Sequence, residues 1–332
     1  MPTPTELSVV IPMYNEEEAL PALAERLRPV LDDLGVTYEV VAVDDGSHDE
    51  TPQRLLAMRR SWPQLRIVRL RRNAGHQAAL TAGLHRCVGA YVVSIDADLQ
   101  DPPEKIADML ALAKDDNLDI VYGVRSDRTT DSLFKRTTAG LYYAIMQKLV
   151  GSWMPRHAGD FRLLRRPVVD ALKALPERQP VYRMLVPSLG FASGEVAYVR
   201  EERVAGKTKY PIGKMVRLAI DSITNFSAAP LRLATYLGVF AFLACLMLLG
   251  FGLVVWLAGA TVPGWMSLFV AVLLLGGVQL VCLGLLGEYV GRIYATVQHR
   301  PTYFVGYDSA APTPAPDTLD PDTLDEVELD AR

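Results

Sequence analysis

Asp96 and Asp98 stand one residue apart, and Gln100 and Asp101 follow at once. An apolar run of strand type, Val92-Val93-Ser94-Ile95, feeds into this cluster, and Pro102-Pro103 stops it. Strand alternation sends two residues at this spacing to the same side. Two hard oxygen ligands at a strand end can share one divalent cation. Mg²⁺ and Mn²⁺ favour such ligands and complete their shell with water and substrate phosphate. An Asp-x-Asp triplet after a buried strand is also what an ordinary polar loop looks like, so its meaning depends on its surroundings. Further polar clusters are Tyr14-Asn15-Glu16, Asp44-Asp45-Gly46-Ser47, Asn73-Ala74-Gly75-His76 and Gly159-Asp160. A basic loop, Arg203-Val204-Ala205-Gly206-Lys207-Thr208-Lys209, comes later, and a loop of this kind can hold a phosphate.

The elements that must position these residues form a regular series. Leu7 to Pro12, Tyr38 to Val43, Arg66 to Leu70, the Val92 run and a stretch near Asp119–Gly123 read as strands. Helical stretches separate them. The first is expected to start at Asn15 as N-cap and to run to about Leu34. Strands alternating with helices predict an α/β domain whose mostly parallel sheet carries helices on both faces. Ligands of such sheets bind beyond the carboxyl ends of the strands, and the first polar clusters fall at those ends. No Gly-x-Gly-x-x-Gly or Gly-x-x-x-x-Gly-Lys-Ser/Thr motif is present, which disfavours dinucleotide and P-loop binding.

Half of the 332 residues are apolar, and the excess lies in the last third. No charged residue occurs from Leu233 to Gly287. A membrane-spanning helix needs about 20 apolar residues, so this stretch holds two, joined at Thr261-Val262-Pro263-Gly264. Arg217 and Arg232 precede the pair and Arg292 and Arg300 follow it, which places both ends in the cytoplasm by the positive-inside rule. Residues 129–150 read equally as a surface helix or as one lying on the membrane interface. A net charge of −4 gives no sign of a nucleic-acid partner. Three scattered cysteines fit neither a disulfide framework nor a zinc site, and the amino-terminal stretch does not read as a signal peptide.

Val10-Ile11-Pro12-Met13-Tyr14-Asn15-Glu16, Val43-Asp44-Asp45-Gly46-Ser47, Asp96-Ala97-Asp98-Leu99-Gln100-Asp101-Pro102-Pro103 and the basic loop ending Lys207-Thr208-Lys209-Tyr210 occur in order. In this the chain resembles the family-2 glycosyltransferases of GT-A fold, and among them the bacterial polyprenyl-phosphate glycosyltransferases. These include undecaprenyl-phosphate glucosyltransferases, aminoarabinose transferases and dolichol-phosphate-mannose-synthase-like enzymes. Gly287-Glu288-Tyr289-Val290-Gly291-Arg292-Ile293-Tyr294 followed by Arg300-Pro301-Thr302-Tyr303 strengthens the resemblance. A departure is Thr296, near which such proteins commonly carry an acid.

The resemblance implies inverting transfer of a sugar from a nucleotide sugar, such as UDP-glucose or a UDP-N-acetylhexosamine, to a polyprenyl (undecaprenyl) phosphate. It implies that Pro12, Tyr14, Glu16, Asp44, Asp45 and Asp96 hold the nucleotide, and that Asp96, Asp98 and Gln100 hold Mg²⁺ or Mn²⁺. Asp160 and Asp98 are the expected catalytic residues, and Arg125, Lys135, Arg203, Lys207, Thr208 and Lys209 the expected lipid-phosphate ligands. The implied layout is a GT-A domain over 1–212, an amphipathic interfacial segment over 213–231 and two transmembrane helices near 233–258 and 265–290. A cytoplasmic return over 293–306 and a disordered acidic tail over 307–332 complete it. A cell-membrane location, with catalytic domain and both termini cytoplasmic, and a homotetramer are also implied. The competing readings are a processive polysaccharide synthase, whose Gln-x-x-Arg-Trp motif Gln179-Pro180-Val181-Tyr182-Arg183-Met184 does not match, and an inactive membrane scaffold.

Overall fold

The structure is a computed structural model and describes residues 4–126, 158–177, 180–201, 229–259, 264–298 and 300–310. Lys135, Arg203, Lys207, Thr208 and Lys209 lie outside these residues, as do the 129–150 stretch, residues 213–228 and 260–263, and the tail from 311.

The first compact unit is built on one sheet. Its strands are β1 (Leu7–Met13), β2 (Tyr38–Asp44), β3 (Leu65–Leu70), β4 (Tyr91–Ser94), β5 (Ile120–Arg125), β6 (Ala158–Arg165), β7 (Ser193–Tyr198) and β8 (Val305–Asp308), in spatial order β7-β5-β6-β4-β1-β2-β3-β8. The pairs β1–β2, β1–β4, β2–β3 and β5–β7 are parallel, whereas β6 runs antiparallel between β4 and β5. Its helices are α1 (Leu20–Asp33), α2 (Thr51–Ser61), α3 (His76–Arg86), α4 (Lys105–Asp115), α5 (Arg166–Ala174) and α6 (Tyr182–Ser188).

Strand alternation divides the core in two. Val9, Ile11, Val40 and Ala42 face the side covered by Leu23 and Leu27 of α1, Leu55 of α2 and Met109 of α4. Val10, Val41 and Val43 face the side covered by Leu80 of α3, Val169 of α5 and Leu185 of α6. Both faces are therefore dry, which is why the strands read as continuous apolar runs.

Two expectations shift. Asn15 does not cap α1, which begins at Leu20. Asn15 instead turns the chain in the left-handed region, at φ 54°, a conformation that Asn tolerates better than most residues. Tyr307 and Asp308, assigned to the tail by composition, are the last residues of β8, which pairs antiparallel with β3. Arg66 grips both oxygens of Asp308, at 2.9 and 2.8 Å, and Arg86 lies 3.2 Å from it. An otherwise open sheet edge is thereby covered.

The second compact unit holds α7 (Ala229–Leu257) and α8 (Trp265–Val297). Within them Ala234–Val255 and Ala271–Val297 are long and apolar enough to cross a membrane. Their large apolar side chains are exposed, Phe240 at 73% and Leu280 at 71% among them. A buried hairpin inside a soluble core would hide such groups. The two helices touch, Cys282 Sγ lying 3.7 Å from the Ala234 carbonyl. At 1.5 Å per residue they are about 44 and 50 Å long, more than the hydrocarbon core of about 30 Å.

Candidate active site

The loops after β1, β2 and β3 are stitched into one rim before any ligand is considered. The Asn15 N–H donates to Ser47 Oγ at 2.9 Å, and the His48 N–H donates to Asn15 Oδ1 at 2.9 Å. The Glu16 N–H donates to Thr51 Oγ1 at 2.9 Å. Asp45 accepts the N–H groups of Ala74 and Gly75 at 2.7 and 2.8 Å. Gly46 sits where β2's loop presses on the next one. Its φ is +69°, and a Cβ there would lie 2.7 Å from the Arg72 carbonyl carbon, so only glycine fits.

This stitching redefines the Asp44-Asp45 pair. Asp44 is fully buried, takes the Ser47 N–H at 2.9 Å and ion-pairs with Arg69 at 3.1 Å. Asp45 is 2% exposed. Burial pushes both carboxyls up, against the hydrogen bonds that favour their charged forms. Asp44 holds its own loop and Asp45 holds the next. Pro12 is buried at the end of β1, opposite Val43. Tyr14 is 40% exposed on the rim, and Glu16 is half-buried beside it.

The Asp96–Asp101 segment leaves β4 as a tight turn rather than as more strand. Ala97 and Leu99 are buried, whereas Asp98 and Gln100 are half-exposed. Leu99 adopts φ 58°, a costly conformation for a leucine, and its side chain is 1% exposed. The Gln100 N–H closes the turn on Asp98 Oδ1 at 3.1 Å. Leucine burial thus aims Asp98 and Gln100 outward. The Gln100 side chain accepts from Arg200, and the Gln100 carbonyl accepts the Glu201 N–H at 3.1 Å.

Asp160 comes from far along the chain. β6 pairs with β4 so that Ser94 faces Arg162, and the same register carried two residues further sets Asp96 opposite Asp160. His76, the first residue of α3, bridges them. Its Nε2 lies 3.7 Å from Asp96 Oδ1 and 3.8 Å from Asp160 Oδ2.

The two acids have different surroundings. Burial, then the charges of Asp160, Asp101 and Asp98, push Asp96 up to about 6, against the opposing pull of His76. Burial also works to raise Asp160, but Arg162, Arg183 and His76 outweigh it and hold that carboxyl below the usual range. Arg162 is 2% exposed, hydrogen-bonds Asp160 Oδ1 and donates to the Tyr182 carbonyl at 2.8 Å.

Arg125, at the end of β5, lies 3.9 Å from Asp101 and donates to Tyr198 Oη at 3.3 Å. Tyr198 in turn hydrogen-bonds buried Asp101. The Arg125 guanidinium also lies 3.8 Å from where a Cβ on Gly159 would stand, beside Asp160.

Asp96, Asp98, Gln100, Asp101, Arg125 and Asp160 are thus neighbours on one rim. His76, Arg162, Arg183 and Arg200 belong to the same neighbourhood. Only their long-range pairing reveals them, since each lacks a motif of its own. Among the described residues no three His, Cys, Asp or Glu side chains converge as a metal site. Two part-exposed carboxylates, Asp96 and Asp98, and the part-exposed amide of Gln100 match an ion that keeps water and substrate phosphate in its shell. The crowding of Asp96 by the carboxylates of Asp98, Asp101 and Asp160 is what such an ion would relieve.

Comparison with known proteins gives the same direction. Residues 8–173 match the profile "Glycosyl transferase family 2", and residues 229–293 match "GtrB C-terminal hairpin". The uncharacterized glycosyltransferase YkcC of Bacillus subtilis is 41% identical over 304 residues, covering 90% of this chain and 93% of that one. The uncharacterized glycosyltransferase sll0501 of Synechocystis sp. is 43% identical, over 90% and 94% respectively. The bactoprenol glucosyl transferase of Shigella phage SfV is 39% identical, over 90% and 98%.

Proposed function

The chain belongs to glycosyl transferase family 2, and on that premise we propose that it transfers glucose from UDP-glucose, with inversion, to the phosphate of a membrane polyprenyl phosphate. The observation that carries this reading is the division of one rim into two halves. One half is net acidic: beside Gln100, the carboxylates of Asp96, Asp98 and Asp101 outnumber the guanidiniums of Arg125 and Arg200. The other centres on Asp160, which is already neutralised by Arg162 and flanked by a further guanidinium. The bactoprenol glucosyl transferase at 39% identity supports the acceptor and the sugar.

The chemistry demands such a division. A phosphate oxygen forms the new bond to the anomeric carbon while the bond from that carbon to the nucleoside diphosphate breaks, its electron pair leaving with the diphosphate. Both partners are anions. Two unit charges about 5 Å apart at an effective dielectric of about 20 repel by about 3 kcal/mol, and several such pairs meet here. Asp98 and Gln100, with Asp96, would hold Mg²⁺ or Mn²⁺, which when bound supplies positive charge to the departing diphosphate. We assign Arg125 to the lipid phosphate, together with Arg203, Lys207, Thr208, Lys209 and Lys135, whose positions lie outside the described residues. We assign Tyr14, exposed on the rim, to the nucleotide base, and Glu16 to the ribose. Because a phosphate is already largely ionised at neutral pH, no strong base is needed. Asp160, held charged by Arg162, orients groups around the nucleophile rather than removing a proton.

The hairpin would hold the chain at the membrane, where a lipid acceptor resides. β7 precedes the two apolar helices and β8 follows them, and both strands belong to one sheet. Both ends of the hairpin therefore lie on the catalytic side of the membrane, which we assign to the cytoplasm from the flanking arginines.

The test is incubation of the full chain in detergent with labelled UDP-glucose and undecaprenyl phosphate, followed by organic extraction and NMR of the product. The expected product is a lipid-phosphate glucose with the anomeric configuration opposite to that of the donor. Retained configuration, or label entering the organic phase without added lipid phosphate, would refute the reading.

A further inference from the structure

Asp160 carries more positive charge than one carboxylate needs. Arg162 neutralises it from below and is fixed there by its bond to the Tyr182 carbonyl. Arg183 adds a second guanidinium, its NH2 3.6 Å from Asp160 Oδ2, too far for a hydrogen bond. The two arginines differ in access. The Arg162 side chain is 2% exposed and that of Arg183 is 43% exposed.

The local fold holds Arg183 in this position. Tyr182 is 4% exposed and is pinned at three points. Its N–H donates to Gln77 Oε1 at 3.3 Å, its hydroxyl donates to Thr81 Oγ1 at 3.0 Å, and its carbonyl accepts from Arg162. On the other side Met184 is 1% exposed. A residue between two anchored neighbours keeps its backbone position while its exposed end stays available. A guanidinium has five N–H donors in a fork that matches phosphate oxygens. An anion arriving at Arg183 disturbs only the loose pair, because Arg162 continues to neutralise Asp160.

We propose that Arg183 binds the phosphate monoester of the lipid acceptor, on the Asp160 side of the rim, with Arg125 beside Gly159. This rests on the functional reading above and adds a residue to it. The charge distribution assigns the acceptor rather than the diphosphate to Arg183. Asp160, Arg162 and Arg183 together carry one surplus positive charge even with His76 neutral. The Asp96, Asp98 and Asp101 side stays net negative even with Arg125 and Arg200 counted there, and suits a cation with its diphosphate.

The experiment compares the full chain with R183A, R183Q and R183K in detergent. Kinetics are measured against undecaprenyl phosphate and against UDP-glucose. Binding of a short-chain polyprenyl phosphate and of UDP is measured separately, without turnover. The KM for undecaprenyl phosphate and the Kd for the short-chain lipid should rise about tenfold or more in R183A and R183Q, with partial recovery in R183K. The KM for UDP-glucose and the Kd for UDP should stay within about twofold. Melting temperatures close to that of the wild type confirm that the variants are folded. Weakened UDP binding with lipid binding unchanged would overturn the proposal and move Arg183 to the diphosphate. A fall in kcat with every affinity unchanged would also overturn it and leave Arg183 only a positioning residue for Asp160. A wild-type protein that binds the short-chain lipid in an Arg183-dependent way yet transfers no sugar would refute the functional reading while upholding the phosphate site.

Discussion

Asp160 shows how one side chain serves the site and the fold together. Its carboxylate is the counter-ion of Arg162, which is almost wholly enclosed. Removing one partner of such a pair leaves a buried charge without compensation, at a cost of about 3–5 kcal/mol. Asp160→Ala should therefore lower the unfolding free energy by about that amount as well as abolish transfer. Chemical denaturation of the detergent-solubilised variant checks this, and unchanged stability would mean that Arg162 finds another partner. Leu99 makes the complementary point. It occupies an unfavourable backbone conformation because its side chain is wanted in the core. Leu99→Ala should destabilise the domain by about 2–4 kcal/mol. It should also weaken metal-dependent transfer, because Asp98 and Gln100 lose the anchor between them. A melting curve and a metal titration of activity would show both effects.

At the scale of elements, the strand that follows the hairpin closes the sheet. Burial works to raise the Asp308 carboxyl, but its bonds to Arg66, to the Ala310 N–H and to Arg86 prevail and hold it below the usual carboxylate range. A carboxylate held low stabilises the fold above its unfolded pKa of about 3.9, and the contribution fades as pH falls through the folded value. Asp308→Asn should therefore lower the melting temperature by a constant amount between about pH 7 and pH 5, and the gap from wild type should shrink below about pH 4. A gap independent of pH down to acid unfolding would contradict the ion-pair account. The elements also show what could be read from sequence. Local signals sufficed for the alternating strands and helices, for two apolar helices and for the acidic turn after β4. They did not reveal that β6 inserts antiparallel between β4 and β5, because strand pairing across some 70 residues leaves no local periodicity. That insertion alone brings Asp160 to Asp96. Nor could spacing show that Asp44 pairs with Arg69 in the interior, since an Asp-Asp-Gly-Ser turn carries no sign of a partner on another strand. Tyr307 and Asp308 were hidden in a tail of polar composition, although Arg66 and Arg86 hold Asp308 in the sheet.

For the whole molecule, strands of one sheet flank the apolar pair in sequence, so the proposed function entails an even number of membrane crossings between them. In a cysteine-free background, Thr261→Cys should react with a membrane-impermeant maleimide on intact cells, whereas Ser309→Cys should react only after permeabilisation. Equal labelling of the two would break the even-crossing arrangement. The most direct measurement is transfer itself. A panel of labelled UDP- and GDP-sugars is offered with undecaprenyl phosphate to the wild type and to Asp98→Ala, with Mg²⁺ or Mn²⁺ and with EDTA. The account predicts one labelled lipid product, from UDP-glucose, formed by the wild type with metal and absent with EDTA or with Asp98→Ala. A folded wild-type protein that labels no lipid from any donor, or an Asp98→Ala variant as active as wild type, would contradict it.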